Sequence, residues 1–235
     1  MKCSQTSFLS PLKAKASQRL MPSFISTVRI KLSKFAEKVG VDGLLLVTPY
    51  YNKSSQKGLI AHFKTIAESV TTPCILYNVP SRTGVNLLPD TVAKLADVEN
   101  IVGIKEASGN FSQLLELMAK VPKDFIVLSG NDDSIVPLLS IGGKGVISVL
   151  SNIYPKDTHN MCQAFFLGET NYAKELQLRY ANLIKALFIE PNPMPVKDAM
   201  NILDMDVGNT RLPLVEVSDD THEILKSVLY ELKDK

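Results

Sequence analysis

Residues 101–107, Ile101-Val102-Gly103-Ile104-Lys105-Glu106-Ala107, read as a short strand that carries a lysine. Side chains alternate along a strand, so Ile101, Gly103 and Lys105 share one face and Val102 and Ile104 the other. An ammonium group is thereby placed within a sheet. The same kind of segment recurs on both sides of it.

Upstream, Gly43–Thr48 is an apolar run closed by Pro49, which suits a parallel strand buried on both faces, and Cys74–Val79 is a second. Downstream lie Phe125–Ser129 and Gly145–Leu150. Helical periodicity fills the gaps. Leu32, Phe35, Ala36 and Val39 recur at helical spacing before Gly40, and Leu59, Ile60, Phe63, Ile66 and Ala67 form a second face. Pro89 opens a helix with Val92, Leu95 and Ala96, and Phe111–Val121 and Ile135–Ser140 complete the set. Five βα units in succession imply right-handed crossovers and a parallel sheet covered by helices. The expected class is α/β. After Pro155 the strand signals stop, and helical patterns at 157–167, 169–188, 195–203 and 220–233 predict a helical region against the outer layer of the sheet.

Composition narrows the function classes. Charged residues make up 21% and the apolar set 45% of 235 residues, a balance of globular proteins that excludes disordered and collagen-like architectures. The formal charge is +2, but residues 1–30 hold five basic groups, six serines and no acid, so the remainder is net −3. A slightly acidic body with no basic run and no Trp has little to offer nucleic acid. No apolar run approaches the roughly 20 residues of a membrane helix, so no membrane partner is expected. Cys3, Cys74 and Cys162 form no CxxC pair and stand far in sequence from the three histidines, so neither a metal site nor a disulfide framework is predicted. The expected compartment is the reducing cytoplasm. Residues 1–29 have the outline of an organellar transit peptide, an outline that a lead sequence unrelated to the fold shares. Phe24–Ile30 is a candidate strand. The expected division is a lead over 1–29, a partial barrel over 30–168 and a helical region over 169–235.

The polar residues gather where the strands end: Thr48-Pro49-Tyr50-Tyr51-Asn52, Tyr77-Asn78-Val79-Pro80, Lys105-Glu106, Gly130-Asn131-Asp132-Asp133 and Ser148. In a (β/α) barrel that rim is the active site. Desolvation of Lys105 lowers its pKa and yields a neutral amine able to attack a carbonyl and form a Schiff base. A Lys105 paired with a buried carboxylate such as Glu106 is the alternative. Tyr77 suits proton transfer to a carbinolamine and Arg82 suits a carboxylate, against a core aromatic and a solvated loop charge. Phosphate is not suggested, because Asp132 and Asp133 follow Ser129 and Gly142-Gly143-Lys144-Gly145 precedes a strand rather than a helix.

Val47-Thr48-Pro49-Tyr50-Tyr51-Asn52, Tyr77-Asn78-Val79-Pro80-Ser81-Arg82-Thr83-Gly84, Gly103-Ile104-Lys105-Glu106-Ala107-Ser108-Gly109 and Glu190-Pro191-Asn192-Pro193 together closely resemble the dihydrodipicolinate synthase family, in register from about Ile30 onward. That family also contains N-acetylneuraminate lyases. The resemblance implies a (β/α)₈ TIM barrel and the condensation of pyruvate with aspartate 4-semialdehyde, without metal or organic cofactor, in a homo-oligomer. It implies Lys105 as the Schiff-base lysine, Tyr77 as the proton-shuttling tyrosine and Arg82 as the arginine for the semialdehyde carboxylate. Tyr51 is implied as the tyrosine lent to a neighbouring subunit, and Tyr50 as a residue near a lysine-inhibitor cleft. Gly130 and the Ile147 carbonyl match backbone positions lining the pocket. Arginine in Pro80-Ser81-Arg82-Thr83-Gly84 favours the synthases over the neuraminate lyases.

The sequence also departs from the family. Gly43–Thr48 matches the fourth of eight strands, and the family's Gly-Thr-Thr-Gly-Glu motif, whose threonines relay a proton and bind pyruvate, has no counterpart. Five strands are expected to leave both outer strands as open edges. Turnover several powers of ten below that of an intact synthase is expected. The alternatives are a catalytically inactive paralogue that binds intact subunits and a Schiff-base aldolase acting on another 2-oxo acid.

Overall fold

The computed structural model describes residues 26–233. Its first element, α1 (Ser26–Lys38), overturns the strand expected over Phe24–Ile30, of which Phe24 and Ile25 lie outside the described residues. The β-branched Thr27, Val28 and Ile30 favour a strand locally, but the helix packs Ile30 and Ala36 on the core and buries Ser33. Tertiary burial overrides propensity here. The inward face therefore differs from the expected one: of that set only Ala36 packs inward, while Leu32, Phe35 and Val39 are exposed.

Five strands follow: β1 (Leu44–Val47), β2 (Cys74–Asn78), β3 (Ile101–Glu106), β4 (Ile126–Ser129) and β5 (Gly145–Val146). All pair in parallel in the order β1-β2-β3-β4-β5, which makes an open sheet with β1 and β5 at its edges among the described residues. The crossovers are α2 (Gln56–Ala67), the turn α3 (Pro80–Thr83) with α4 (Pro89–Leu95), α5 (Phe111–Lys120) and α6 (Ile135–Ser140). Local chemistry starts these helices. Ser55 and Asn110 accept the Gly58 and Gln113 amides at the heads of α2 and α5, and Pro80 and Pro89 open α3 and α4.

The sheet's two faces are unequal. Leu46, Leu76, Ile104 and Val127 are buried beneath Leu59, Phe63, Leu95 and Leu117 of the helices. The opposite face holds Val47, Ile75, Tyr77, Lys105, Ile126 and Leu128, all half-buried, and Leu45 is 47% exposed. The burial on both faces expected for Gly43–Thr48 is thus realised on one only, because no described element covers the other.

The C-terminal helices are α7 (Pro155–Phe166), α8 (Thr170–Arg179), α9 (Ala181–Ala186), α10 (Met194–Ile202) and α11 (Asp219–Lys233). They form a second core with α6, through Ile135, Leu139, Met161, Leu176, Leu183 and Leu225. The single helix expected over 169–188 is broken at Tyr180, whose backbone leaves the helical region. Its ring is buried against Tyr154, 4.8 Å away, and its hydroxyl donates to Asp157. Strand β5 is shorter than the expected Gly145–Leu150. The chain turns at Val149 into a 3₁₀ turn (Leu150–Asn152), whose first amides bond the Asp132 carboxylate instead of a neighbouring strand.

His62 on α2 is buried, bonds the Ser26 hydroxyl at 2.7 Å and meets the Phe63 ring edge-on. Burial, reinforced by the Arg29 charge, pushes the imidazole down to about 4 from an ordinary 6.5. The unfolded chain binds the proton first, so this contribution is complete above pH 6.5 and is lost as pH falls toward 4. Urea unfolding is expected to lose about 2 kcal/mol over that interval through His62. His62→Gln should flatten the loss, and an unchanged profile would contradict the assignment.

Candidate active site at the strand ends

Parallel pairing aligns Val47, Tyr77, Lys105, Leu128 and Gly145 in one row across the five strands. Neighbours in such a row point to the same face, so Tyr77 and Lys105 meet side by side on the half-open face. Lys105 Nζ lies 4.5 Å from the centre of the Tyr77 ring. The ring's negative face favours the ammonium, whereas partial burial disfavours it. Burial prevails and holds the amine below the ordinary lysine value, with Asp132 acting upward and Arg82 downward. Burial raises the Tyr77 phenol, and the Arg82 charge opposes it.

The row one residue further on points the other way and is polar. Asn78 and Glu106 are adjacent there, and Asn78 Nδ2 donates to Glu106 at 2.9 Å. The other Glu106 oxygen accepts the Ser108 amide at 2.6 Å, and Asn78 Oδ1 accepts the Leu87 amide at 2.9 Å. Asn78 Nδ2 also reaches Asn86, which is bonded to Gln113. Burial raises the Glu106 carboxyl against its hydrogen bonds from Ser108 and Asn78. Glu106 therefore faces away from Lys105 and spends its oxygens on Asn78 and Ser108, which removes Glu106 as the carboxylate of a paired lysine.

Gly130 follows β4, and its amide donates to the Glu106 carbonyl at 2.7 Å. A Cβ there would stand 2.6 Å from Ala107 Cβ and 3.0 Å from Lys105 Cε, so the glycine makes room for the lysine stem. Ile147 follows β5 and donates its amide to the Ser129 carbonyl at 2.9 Å. Arg82 projects from α3 and donates to the Asn192 carbonyl at 3.3 Å, which ties it to the Glu190-Pro191-Asn192-Pro193 segment. Tyr50 and Tyr51 lie in the loop after β1, and Tyr51 is 75% exposed. The rim thus gathers Lys105, Tyr77, Gly130 and Ile147, with Arg82 at its border and Tyr51 turned outward.

Sequence reading placed Asp132 and Thr48 among the polar residues at the strand ends but gave neither a role at the site. Asp132 is 1% exposed, and one carboxylate oxygen accepts from Val149 and Leu150 at 2.9 and 3.0 Å. Thr48 is fully buried, and its hydroxyl has no hydrogen-bond partner among the described residues. The signal was position alone, since Thr48 follows β1 directly and Asp132 lies three residues past the end of β4. Among the described residues no group of three or more His, Cys, Asp or Glu stands close enough to hold a metal.

A parallel sheet with its polar groups collected at the C-terminal rim is the layout of (β/α)-type enzymes, and the half-buried amine on that rim points to lyase chemistry. The profile of the "Dihydrodipicolinate synthetase family" matches residues 26–232. The 4-hydroxy-tetrahydrodipicolinate synthase of Clostridium novyi is 54% identical over 200 residues, which are 85% of this chain and 68% of the relative. The crystal structure of dihydrodipicolinate synthase from Thermotoga maritima superposes with a TM-score of 0.87 at 45% identity, covering 89% of this chain and 72% of that one. The chloride-inhibited synthase from Acinetobacter baumannii, solved with pyruvate, gives 0.85 at 41% identity, covering 88% and 72%. The chain belongs to the dihydrodipicolinate synthetase family, whose members named here are lyase-type enzymes.

The charges around Lys105 make a testable pair with its burial. Labelling by fluorodinitrobenzene, followed peptide by peptide in mass spectra, should give Lys105 a lower midpoint pH than exposed lysines. Arg82→Ala removes a cation that disfavours the ammonium, so the midpoint should rise. A fall would contradict the geometry.

Proposed function

We propose that this chain forms a Schiff base with pyruvate on Lys105 and directs it toward aspartate 4-semialdehyde, the condensation of the lysine-biosynthetic pathway. The observation that carries the reading is the half-buried Lys105 amine lying against Tyr77 at the strand ends. It is supported by relatives named as the synthase and by one of them solved with pyruvate. In this reading the Lys105 nitrogen attacks the ketone carbon of pyruvate and a C–N bond forms. Proton transfers then expel the former carbonyl oxygen as water, leaving a protonated imine that needs no metal or organic cofactor. Loss of a methyl proton gives the enamine that attacks the aldehyde carbon of the second substrate.

Each neighbour then has a task. Tyr77 carries protons to and from the carbinolamine, and a phenol held protonated by burial suits the donor role. Arg82, exposed at the border, meets the semialdehyde carboxylate. Gly130 and Ile147 line the pocket with backbone. Tyr51 serves the site of a second copy in a homo-oligomer, a role that its 75% exposure suits. Tyr50 stands near it, in the position of a regulatory residue.

Borohydride reduction in the presence of pyruvate should attach a reduced pyruvyl group to the Lys105 peptide, and Lys105→Ala should show none. Tyr77→Phe should slow trapping by about 10²-fold or more. Folded protein that yields no adduct at saturating pyruvate would sink the reading.

A further inference from the structure

Arg82 stands on α3, a turn of only four residues, so its direction depends on what fastens the chain on either side. Gly84 ends the turn at a φ of +64°, which a Cβ would resist, and its amide closes on the Pro80 carbonyl at 2.8 Å. Thr83 Oγ1 donates to the Val79 carbonyl at 3.1 Å and accepts the Val85 amide at 3.3 Å, so residues 79–85 form one closed unit. Beyond it, side chains from three elements hold the strap 86–88. Asn86 is at the centre. Its carbonyl accepts Gln56 Nε2 of α2 at 2.8 Å, and its Oδ1 accepts Asn78 Nδ2 of β2 at 2.9 Å and Gln113 Nε2 of α5 at 3.1 Å. Its Nδ2 donates to Gln113 Oε1 at 2.7 Å. The next two amides are taken by the same neighbours, Leu87's by Asn78 Oδ1 at 2.9 Å and Leu88's by Gln56 Oε1 at 3.2 Å. Asn78 and Gln113 are buried, so water is a poor substitute for Asn86 at either.

We propose that Asn86 is a positioning residue for Arg82: by tying the strap to α2, β2 and α5 it fixes the angle at which α3 presents the guanidinium to the rim. There Arg82 meets the Asn192 carbonyl at 3.3 Å. The statement about the guanidinium stands by itself, whereas its consequence for the carboxylate of the second substrate rests on the Schiff-base reading. Arg82 is exposed, and an exposed guanidinium free to wander must be ordered before it holds a carboxylate in two parallel bonds. The strap supplies that order in advance. Asn78 keeps its bonds to Glu106 and to the Leu87 amide without Asn86, so the strap can loosen while the register of β2 on β3 stands.

Asn86→Leu keeps the size of the side chain and removes its bonds to Asn78 and Gln113. Asn86→Asp keeps the oxygen that both amides use and loses only the donor. Phenylglyoxal labelling of Arg82 in the full chain, followed by mass spectrometry, is expected to run about threefold faster or more in Asn86→Leu and at the parent's rate in Asn86→Asp. Arg179, which bonds the distant Leu232 carbonyl, is the internal control and should label unchanged. In the condensation, half-saturation by aspartate 4-semialdehyde should need about tenfold more in Asn86→Leu, with borohydride trapping of pyruvate unaltered. In an Arg82→Ala background Asn86→Leu should add nothing further, since it acts through Arg82. Arg82 labelling at the parent's rate in folded Asn86→Leu would overturn the proposal. So would a rise shared by Arg179, which would make Asn86 a general support, or an additive effect in the Arg82→Ala background. Labelling needs no substrate, so a faster Arg82 in a protein that never traps pyruvate would uphold the positioning and defeat the Schiff-base reading instead. Should Asn86→Leu fail to fold, Gln56→Leu frees the same strap from α2 alone, and its Arg82 labelling decides by the same criteria.

Discussion

Everything at the rim depends on the register in which Ile75–Asn78 of β2 pair with Gly103–Glu106 of β3, set after a shift between Cys74 and Ile75. Tyr77 lies beside Lys105 because Asn78 lies beside Glu106, and the second pair is locked by a buried hydrogen bond of 2.9 Å. A slip of one residue would turn Lys105 toward the helix layer, where Leu76 and Ile104 are fully buried. It would also bring Glu106 and Asn78 out of a network that satisfies both. Breaking one member leaves a buried carboxylate or amide without its partner, a penalty of about 1–3 kcal/mol. The polar row behind the sheet therefore holds the Tyr77–Lys105 row in front of it.

That arrangement explains how one sheet tolerates a lysine at all. The covered face is apolar through Leu46, Leu76, Ile104 and Val127 and becomes polar only at the last row. The other face is half-buried along its length, so Lys105 is desolvated enough to lower its pKa and still reaches the rim. A fully enclosed lysine would lose more of its charge, and an exposed one none. Among the described residues β1 is an edge strand, and its exposed Leu45 belongs to the same face.

Much of this was legible in residues 43–150. Short apolar runs at regular spacing, Pro49 and Pro89 as punctuation, and a lysine inside a strand were enough for the class of fold and for the place of Lys105 near the end of β3. What misled was periodicity without context. Leu32, Phe35 and Val39 form a good amphipathic stripe, yet α1 buries Ser33 and packs Ile30 inward, because the bond from Ser26 to His62 sets its rotation. Residues 169–188 carry helical spacing throughout, but nothing local announces that Tyr180 leaves the helix to bury its ring against Tyr154. Gly145–Leu150 has the composition of a full strand, and only the distant Asp132 carboxylate diverts its last two amides. These are long-range effects that a single sequence window does not contain. The motifs nonetheless located Tyr77 and Lys105 at neighbouring strand ends, since motif spacing is preserved even where element boundaries move.

The C-terminal helices matter to the chemistry for a reason their sequence does not display. Their core with α6 positions α8, and α8 presents Gln177 to the turn that crosses Lys105. The path runs from Leu176 in the second core, through Gln177, to the Asp132 carbonyl, and from the Asp132 carboxylate to the loop beyond Ile147. Each link is a short hydrogen bond or a buried side chain, so the rim is fixed from behind as well as along the sheet. On this argument the helical region is structural support for the site, and loosening it would be felt first in the geometry around Lys105 rather than in the strands themselves.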